Sequence, residues 1–253
     1  MGKADLHIHT AYSLDSCNTI SAVLEQAAFH RHLDVIAITD HNSVAGVHEA
    51  QDMAGKYGIE VIPGCEITTS EGHLVALFID KPIPTRRPLA ETVLRVGEQG
   101  GVCIAAHPMA IGVNSISEPS LRNALQTPGV SEILVGIEAF NAGIIYPSTN
   151  EKSKKLGVEL GLSLVGSSDS HLLSTIGRGM TLFKGKTARE LRQALENHTT
   201  HHVQVAFQKT VKYYLDHVMT ELFLRPFGWL LWNPNPGEGF VWRWMPNTPG
   251  SHW

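Results

Sequence analysis

Histidine and carboxylate side chains stand at the downstream end of nearly every β-like run of this chain, and such residues are the usual ligands of catalytic divalent metals. The first run ends in His7-Ile8-His9. In an extended backbone, residues i and i+2 project to the same face, as two ligands of one ion require. Asp15 follows in the loop. The second run ends in Thr39-Asp40-His41, the third in Pro63-Gly64-Cys65-Glu66, the fifth in Ala106-His107-Pro108, the sixth in Glu138 and the seventh in Ser167-Ser168-Asp169-Ser170-His171, while His73 opens the fourth. One loop histidine on its own is usually a solvated or capping side chain. The repetition carries the argument. The apolar interiors of the runs bear almost no titratable groups, so chain folding alone does not explain a His, Asp or Glu at almost every terminus. Mixed His and carboxylate ligation without Cys points to zinc, iron or manganese, which the sequence leaves unseparated, and away from calcium or a structural thiolate site.

Positioning these residues falls to short β-rich runs that alternate with stretches of helical period, the pattern of βα units and a parallel sheet. Strands are expected over 4–8, 35–38, 60–63, 73–79, 102–106, 134–138 and 163–166, and helices over 20–32, 44–57, 89–99, 119–125, 149–160 and 188–197. Seven parallel strands with six or more helices predict a small distorted barrel, with an open doubly wound sheet as the alternative. Active sites of parallel barrels sit at the C-terminal strand ends, where the His and carboxylate residues fall.

A chain of 253 residues can bury one core, and its 43% apolar and 17% charged content is that of an ordinary globular protein. The formal net charge of −4 offers no broad basic face for polymeric nucleic acid. Cys17, Cys65 and Cys103 lie far apart, which suits reduced thiols rather than a disulfide framework. No signal-peptide pattern opens the sequence, and the expected location is cytoplasmic. One catalytic domain over residues 1–200 is expected, followed by an appendage over 201–253 that holds all five tryptophans. A helix is expected over 207–224. The apolar segment 227–232 is far shorter than the ~20 residues of a membrane span, and the Pro/Gly/Asn-rich remainder should lack regular structure. Aromatic residues are enriched at interfaces, so a homo-oligomer formed through this tail is the expected partner relationship, with an interfacial membrane role as the alternative.

The motifs Asp5-Leu6-His7-Ile8-His9-Thr10, Thr39-Asp40-His41-Asn42, Pro63-Gly64-Cys65-Glu66, His107-Pro108 and Ser168-Asp169-Ser170-His171 occur in this order. The sequence over residues 3–197 thereby resembles the PHP (polymerase and histidinol phosphatase) family of metal-dependent phosphoesterases. The resemblance implies a distorted seven-stranded, TIM-like barrel and a cluster of two or three divalent ions (Mn, Fe or Zn). It implies His7, His9, Glu66 and Asp169 as ligands of a first metal. Glu66 would bridge to a second metal completed by His73 and His107, and Asp15, His41 and His171 would hold a third. Asp5 and Asp40 adjoin ligands and are expected to orient imidazoles, with Asp40 also a candidate proton donor to the leaving group. Glu138 is a candidate ligand or outer partner, and Arg178 a candidate phosphate grip. His30, His32, His48, His198, His201, His202, His217 and His252 are read as structural.

Two ions sharing a hydroxide would supply the nucleophile for hydrolysis of a small phosphomonoester, nucleotide-like or histidinol-phosphate-like. The competing functions are an exonuclease, which would want a basic groove or stacking aromatics beside the metals, and a non-catalytic metal-stabilised binding module. Between His73 and His107 the chain has room for no inserted domain, so weak discrimination by the rest of the substrate is expected.

Overall fold

The structure, a computed structural model, describes residues 1–204. Nine strands form one sheet: β1 Gly2–Asp5, β2 Val35–Ile38, β3 Glu60–Thr68, β4 His73–Leu77, β5 Val102–Ala105, β6 Leu134–Asn141, β7 Ser163–Ser167, β8 Gly179–Phe183 and β9 His201–Gln204. The helices are α1 Ile20–Glu25, which continues as a π-helical turn over Gln26–His30, α2 Val47–Tyr57, α3 Leu89–Glu98, α4 Glu118–Ala124, α5 Pro147–Leu160 and α6 Ala188–Glu196. The expected seven strands are all present, but the count of seven is corrected to nine. Two strands follow the last expected one, and β9 carries the sheet past residue 200. The expectations for 207–224, 227–232 and 233–253 lie outside the described residues. No helix among the described residues is long and apolar enough to cross a membrane.

The sheet order is β7-β6-β5-β4-β3-β2-β1-β8-β9. Its pairing is mixed, which corrects the expected all-parallel arrangement: β4 is antiparallel to both β3 and β5, and β8 is antiparallel to β1 and β9. Strands β1, β2, β3, β5, β6 and β7 therefore end on one face of the molecule, and β4 begins there.

Between β7 and β8 the barrel closes without a backbone ladder. Thr181 Oγ1 accepts from Gly166 N (3.1 Å) and donates to Gly166 O (2.9 Å). The strands can come this close because Gly166 and Gly179 lack side chains; a Cβ on either would collide with the facing backbone.

Alternation within the strands separates three apolar clusters. Ala4, Leu6, Val35, Ala37, Ile62, Val75, Leu77, Val102, Ile104, Val135, Val165 and Phe183 pack together inside the barrel with Leu191, Ala194 and Leu195 of α6. That helix spans the strand-start end, where Ala188 N donates to Glu60 Oε2 and Ser163 Oγ to Leu195 O. A capping box of Thr187 and Glu190 starts it. The opposite strand faces pack beneath α1 and α2 on one side, and beneath α3, α4 and α5 on the other. With one end plugged, the polar residues collect at the other.

Candidate metal centre

His7 and His9 lie just past the end of β1, where an isolated bridge between Ile8 and Ser170 and bonds from His9 N to Ser170 O and Ser170 N to His7 O extend the strand. Ile8 turns into the core beneath α1, which sends both imidazoles the other way. Both are fully buried. The nine ligand positions named from sequence come together. His7 Nε2 lies 3.3 Å from Glu66 Oε2 and 3.5 Å from Asp169 Oδ1, and His9 Nε2 lies 3.4 and 3.3 Å from the same two atoms. The other oxygen of Glu66, Oε1, is 3.0 Å from both His73 Nδ1 and His107 Nε2. Asp15 Oδ2 lies 3.0 Å from His41 Nε2 and 3.2 Å from His171 Nε2, and His41 Nδ1 reaches Glu66 Oε2 at 2.8 Å.

In four of the rings the inward nitrogen is set by a bond on the far side. His7 Nδ1 donates to Glu138 Oε1 at 2.9 Å. Ser13 Oγ donates to Asp40 Oδ1, so it accepts from His9 Nδ1 at 3.2 Å and from His41 N at 2.9 Å. Ser115 Oγ donates to the His107 carbonyl and accepts from His107 Nδ1, and His171 Nδ1 donates to Asp169 O. With Nδ1 committed on each of these four rings, the neutral form of each imidazole would carry its lone pair at Nε2, on the side of the carboxylates, the tautomer a metal needs. His107 and Asp169 adopt φ of 28° and 50°, backbone strain at two of the candidate ligand positions.

The donors fit divalent ions. His7 Nε2, His9 Nε2 and Asp15 Oδ1 are buried without a hydrogen-bond partner, a cost that cation binding would remove. Separations of 3.3 to 3.5 Å around the His7, His9, Glu66 and Asp169 atoms are long for hydrogen bonds. They match the ~3.4 Å edges of a tetrahedron with bonds of about 2.1 Å. Spatial grouping also puts His9 with Asp15, His41 and His171, and His41 with Glu66 and His73, so His9 and His41 stand between positions that the sequence treats separately.

Charge follows the same geometry. Burial pushes the Glu66 and Asp169 carboxyls up, yet the His7 charge and the imidazole hydrogen bonds hold both well below the usual carboxylate range. Burial disfavours the His41 cation, but Asp15 and Glu66 raise it to about 10. Burial and the neighbouring His171 lower His9 to about 4, which favours its neutral form.

Glu138, named from sequence as ligand or outer partner, has both oxygens occupied. Oε1 accepts from His7 Nδ1 and Ser167 Oγ, and Oε2 from His107 N (2.6 Å) and Asn141 Nδ2 (2.7 Å). Asp5 accepts from Ser168 N and Gly177 N, and burial pushes it up to about 6. Asp40 accepts from Thr10 N, Thr10 Oγ1 and Ser13 Oγ. Among the described residues no hydrogen bond or ion pair links the Arg178 side chain to the cluster, and Arg31 is a charged neighbour. His30, His32, His48, His198, His201 and His202 lie outside every metal-competent group, and His217 and His252 lie outside the described residues. Sequence reasoning missed Ser13, Ser115 and Asn141. Asn141 Nδ2 also donates to Asp169 Oδ2 at 3.1 Å, and the available signal was a polar residue at the end of an otherwise apolar strand.

Residues 5–217 match the PHP domain family, a span that contains every residue of the cluster. The chain belongs to the PHP domain family. Among PHP relatives, an uncharacterized protein of Methanocaldococcus jannaschii is 36% identical over 150 residues, covering 55% of this chain and 82% of that one. The 5'-3' exoribonuclease of Haemophilus influenzae is 35% identical over 104 residues, 40% of this chain and 37% of that protein. The 3',5'-nucleoside bisphosphate phosphatase of Chromobacterium violaceum is 36% identical over 88 residues, 33% of this chain and 30% of that protein. The matched segments thus span about a third of these two enzymes. A two-domain Bacteroides vulgatus protein containing a predicted PHP-like metal-dependent phosphoesterase shares the fold, with a TM-score of 0.62 at 21% identity over 80% of this chain and 64% of that one.

Proposed function

We propose that this PHP protein is a metal-dependent hydrolase of small phosphomonoesters. The observation that carries the reading is the convergence of His7 Nε2, His9 Nε2, Asp169 Oδ1 and both Glu66 oxygens on a site where the two imidazole nitrogens are buried without hydrogen-bond partners. His7, His9, Glu66 and Asp169 would hold one ion, Glu66, His73 and His107 a second, and Asp15, His41 and His171 a third. Bound there, Mn, Fe or Zn would supply Lewis acidity toward phosphoryl oxygens and an activated water at neutral pH.

The protein's own part is placement. Glu66 offers one oxygen to each of two positions, and Glu138, Ser13 and Ser115 fix the rings. Asp15 and His41 are the most exposed members of the cluster, with side chains 27% and 26% accessible, against 0% to 1% for His7, His9 and Glu66. A phosphate would enter on that edge. Asp40 acts through Ser13 and Thr10, since its carboxylate is already engaged by both. The test is to load the purified protein separately with Mn²⁺, Fe²⁺ and Zn²⁺ and assay a panel of phosphomonoesters and phosphodiesters. Monoester turnover with at least one metal is expected. A flat response everywhere would favour a metal-stabilised binding module instead.

The exoribonuclease relative supports a second reading, exonuclease action on nucleic acid. The acidic net charge of −4 weighs against it. Comparing kcat/KM for a mononucleotide and a short 5′-phosphorylated oligonucleotide in one manganese buffer separates the two. Preference for the oligonucleotide would promote the exonuclease.

A further inference from the structure

The exposed apolar side chains are unevenly placed. Of nine large hydrophobic residues exposed among the described residues, six (Tyr12, Leu14, Ile111, Val113, Ile145 and Tyr146) lie in three loops at the strand-end face. Each loop is tied to the cluster. In the loop after β1, Leu14 is 91% exposed between Ser13, which holds His9 and His41, and Asp15, which meets His41 and His171. The loop after β5 carries Ile111 and Val113, 75% and 52% exposed, and is held by Ser115 on His107 and by His73 N on Asn114 O. The loop after β6 carries Ile145 and Tyr146, 41% and 53% exposed, and is held by Gly143 N on Asn141, whose amide bonds Asp169. Tyr12 differs, because its hydroxyl is committed to Glu49 and its ring packs on Gly46.

Exposed apolar residues scattered singly need no explanation, but a concentration around a polar cleft marks a binding site. Small-molecule sites pair a few convergent polar groups with apolar walls. We infer that Leu14, Ile111, Val113, Ile145 and Tyr146 form a rim that receives the leaving group of the substrate, and that this group is large and apolar. The inference rests on the phosphoesterase reading for what occupies the centre. A phosphate held by the cluster places its ester oxygen, and whatever that oxygen carries, among these loops. The five rim side chains lie on three separate loops around a polar centre, which suits a small molecule seated at that centre better than a flat protein partner. The rim replaces the weak discrimination expected from sequence with a preference for apolar esters.

Binding of phosphonates, which carry the same head group and do not hydrolyse, tests this without turnover. Calorimetry on the manganese-loaded protein should give naphthylmethylphosphonate an affinity about tenfold or more above that of ethylphosphonate, the scale expected of apolar pocket contacts. Leu14→Ser combined with Val113→Ser should shrink that ratio severalfold, whereas Val158→Ser, exposed on the remote α5, should leave it unchanged. Equal affinities, binding of neither compound, or an unchanged ratio in the double variant would overturn the inference. So would equal affinities with a doubled mass in light scattering, which would assign the rim to contact between two copies. Hydrolysis of ethyl phosphate in the same sample reports independently on the phosphoesterase reading.

Discussion

Glu138 and His7 share a buried hydrogen bond of 2.9 Å, from imidazole Nδ1 to carboxylate Oε1. All four groups around Glu138 are donors, so a glutamine must turn its NH₂ toward at least one pair of them. Should the amide oxygen keep His107 N and Asn141, the NH₂ faces His7, and Nδ1 must then accept. The ring proton moves to Nε2, the atom that faces Glu66 and Asp169. Glu138→Gln should therefore weaken metal binding by about 10- to 100-fold, the usual effect of losing such an outer partner. Nitrogen-15 NMR of His7 should report the exchanged tautomer. Unaltered affinity together with an unaltered tautomer would remove Glu138 from this role.

In the proposed assignment Glu66 serves two metal positions and Asp169 one. Glu66→Gln should therefore cost more bound metal than Asp169→Asn, and each should lower activity by more than the ~100-fold limit typical of outer partners. Elemental analysis of the purified variants checks the order. Full occupancy and normal turnover in both would take them out of the site.

Metal and protons compete for the same imidazoles. Without metal, His41 is raised from 6.5 to about 10 by Asp15 and Glu66 against its burial. A raised folded pKa contributes stability that is fully present below about 6.5 and is lost as pH climbs through about 10. Metal binding runs the other way, because fewer protons need displacing as pH rises. The gain in Tm on adding metal to the chelated protein should thus grow between pH 6.5 and 9, a trend read from paired thermal melts with and without chelator. A gain that is flat or falls across this window would contradict the assignment of His41 to a metal.

Thr181 closes the barrel with its hydroxyl alone. Thr181→Val keeps the shape but orphans the Gly166 N–H and C=O, at roughly 1–3 kcal/mol for each buried group left unpaired. Urea denaturation should show that loss, with Thr181→Ser near the parent. A valine variant as stable as the parent would mean that the seam is held by other contacts.

How much was legible from sequence depends on the range of the interaction that decides each feature. The first seven strands could be placed because apolar runs and their polar ends are local signals. The direction of β4 could not, since the same residues His73–Leu77 suit either polarity until β3 and β5 pair with them. β9, His201–Gln204, was missed because its sequence, His-His-Val-Gln, lacks an apolar face, and β8 because it follows directly on the Gly-rich loop around Arg178. The nine candidate ligands could be named because their motifs resemble those of a family and because their side chains are of metal-binding type, and the fold brings all nine together. Ser13, Ser115 and Asn141 could not, because serine and asparagine at loop starts are ordinary turn formers and only the folded chain shows which ring they face.

The reversal of β4 bears on how His73 and His107 are held. Since β4 begins at the cluster, it is joined to β3 by the turn Thr69–Gly72, closed by bonds from Thr69 N and Oγ1 to Gly72 O, instead of by a helix. The loop after β5 lies over this turn: a Cβ on the buried Gly72 would collide with the backbone of Ser115 and Ile116, and His73 N bonds Asn114 O. The corner that presents His73 and the loop that holds His107 are thus braced against each other, so a displacement of either would be handed on to its neighbour.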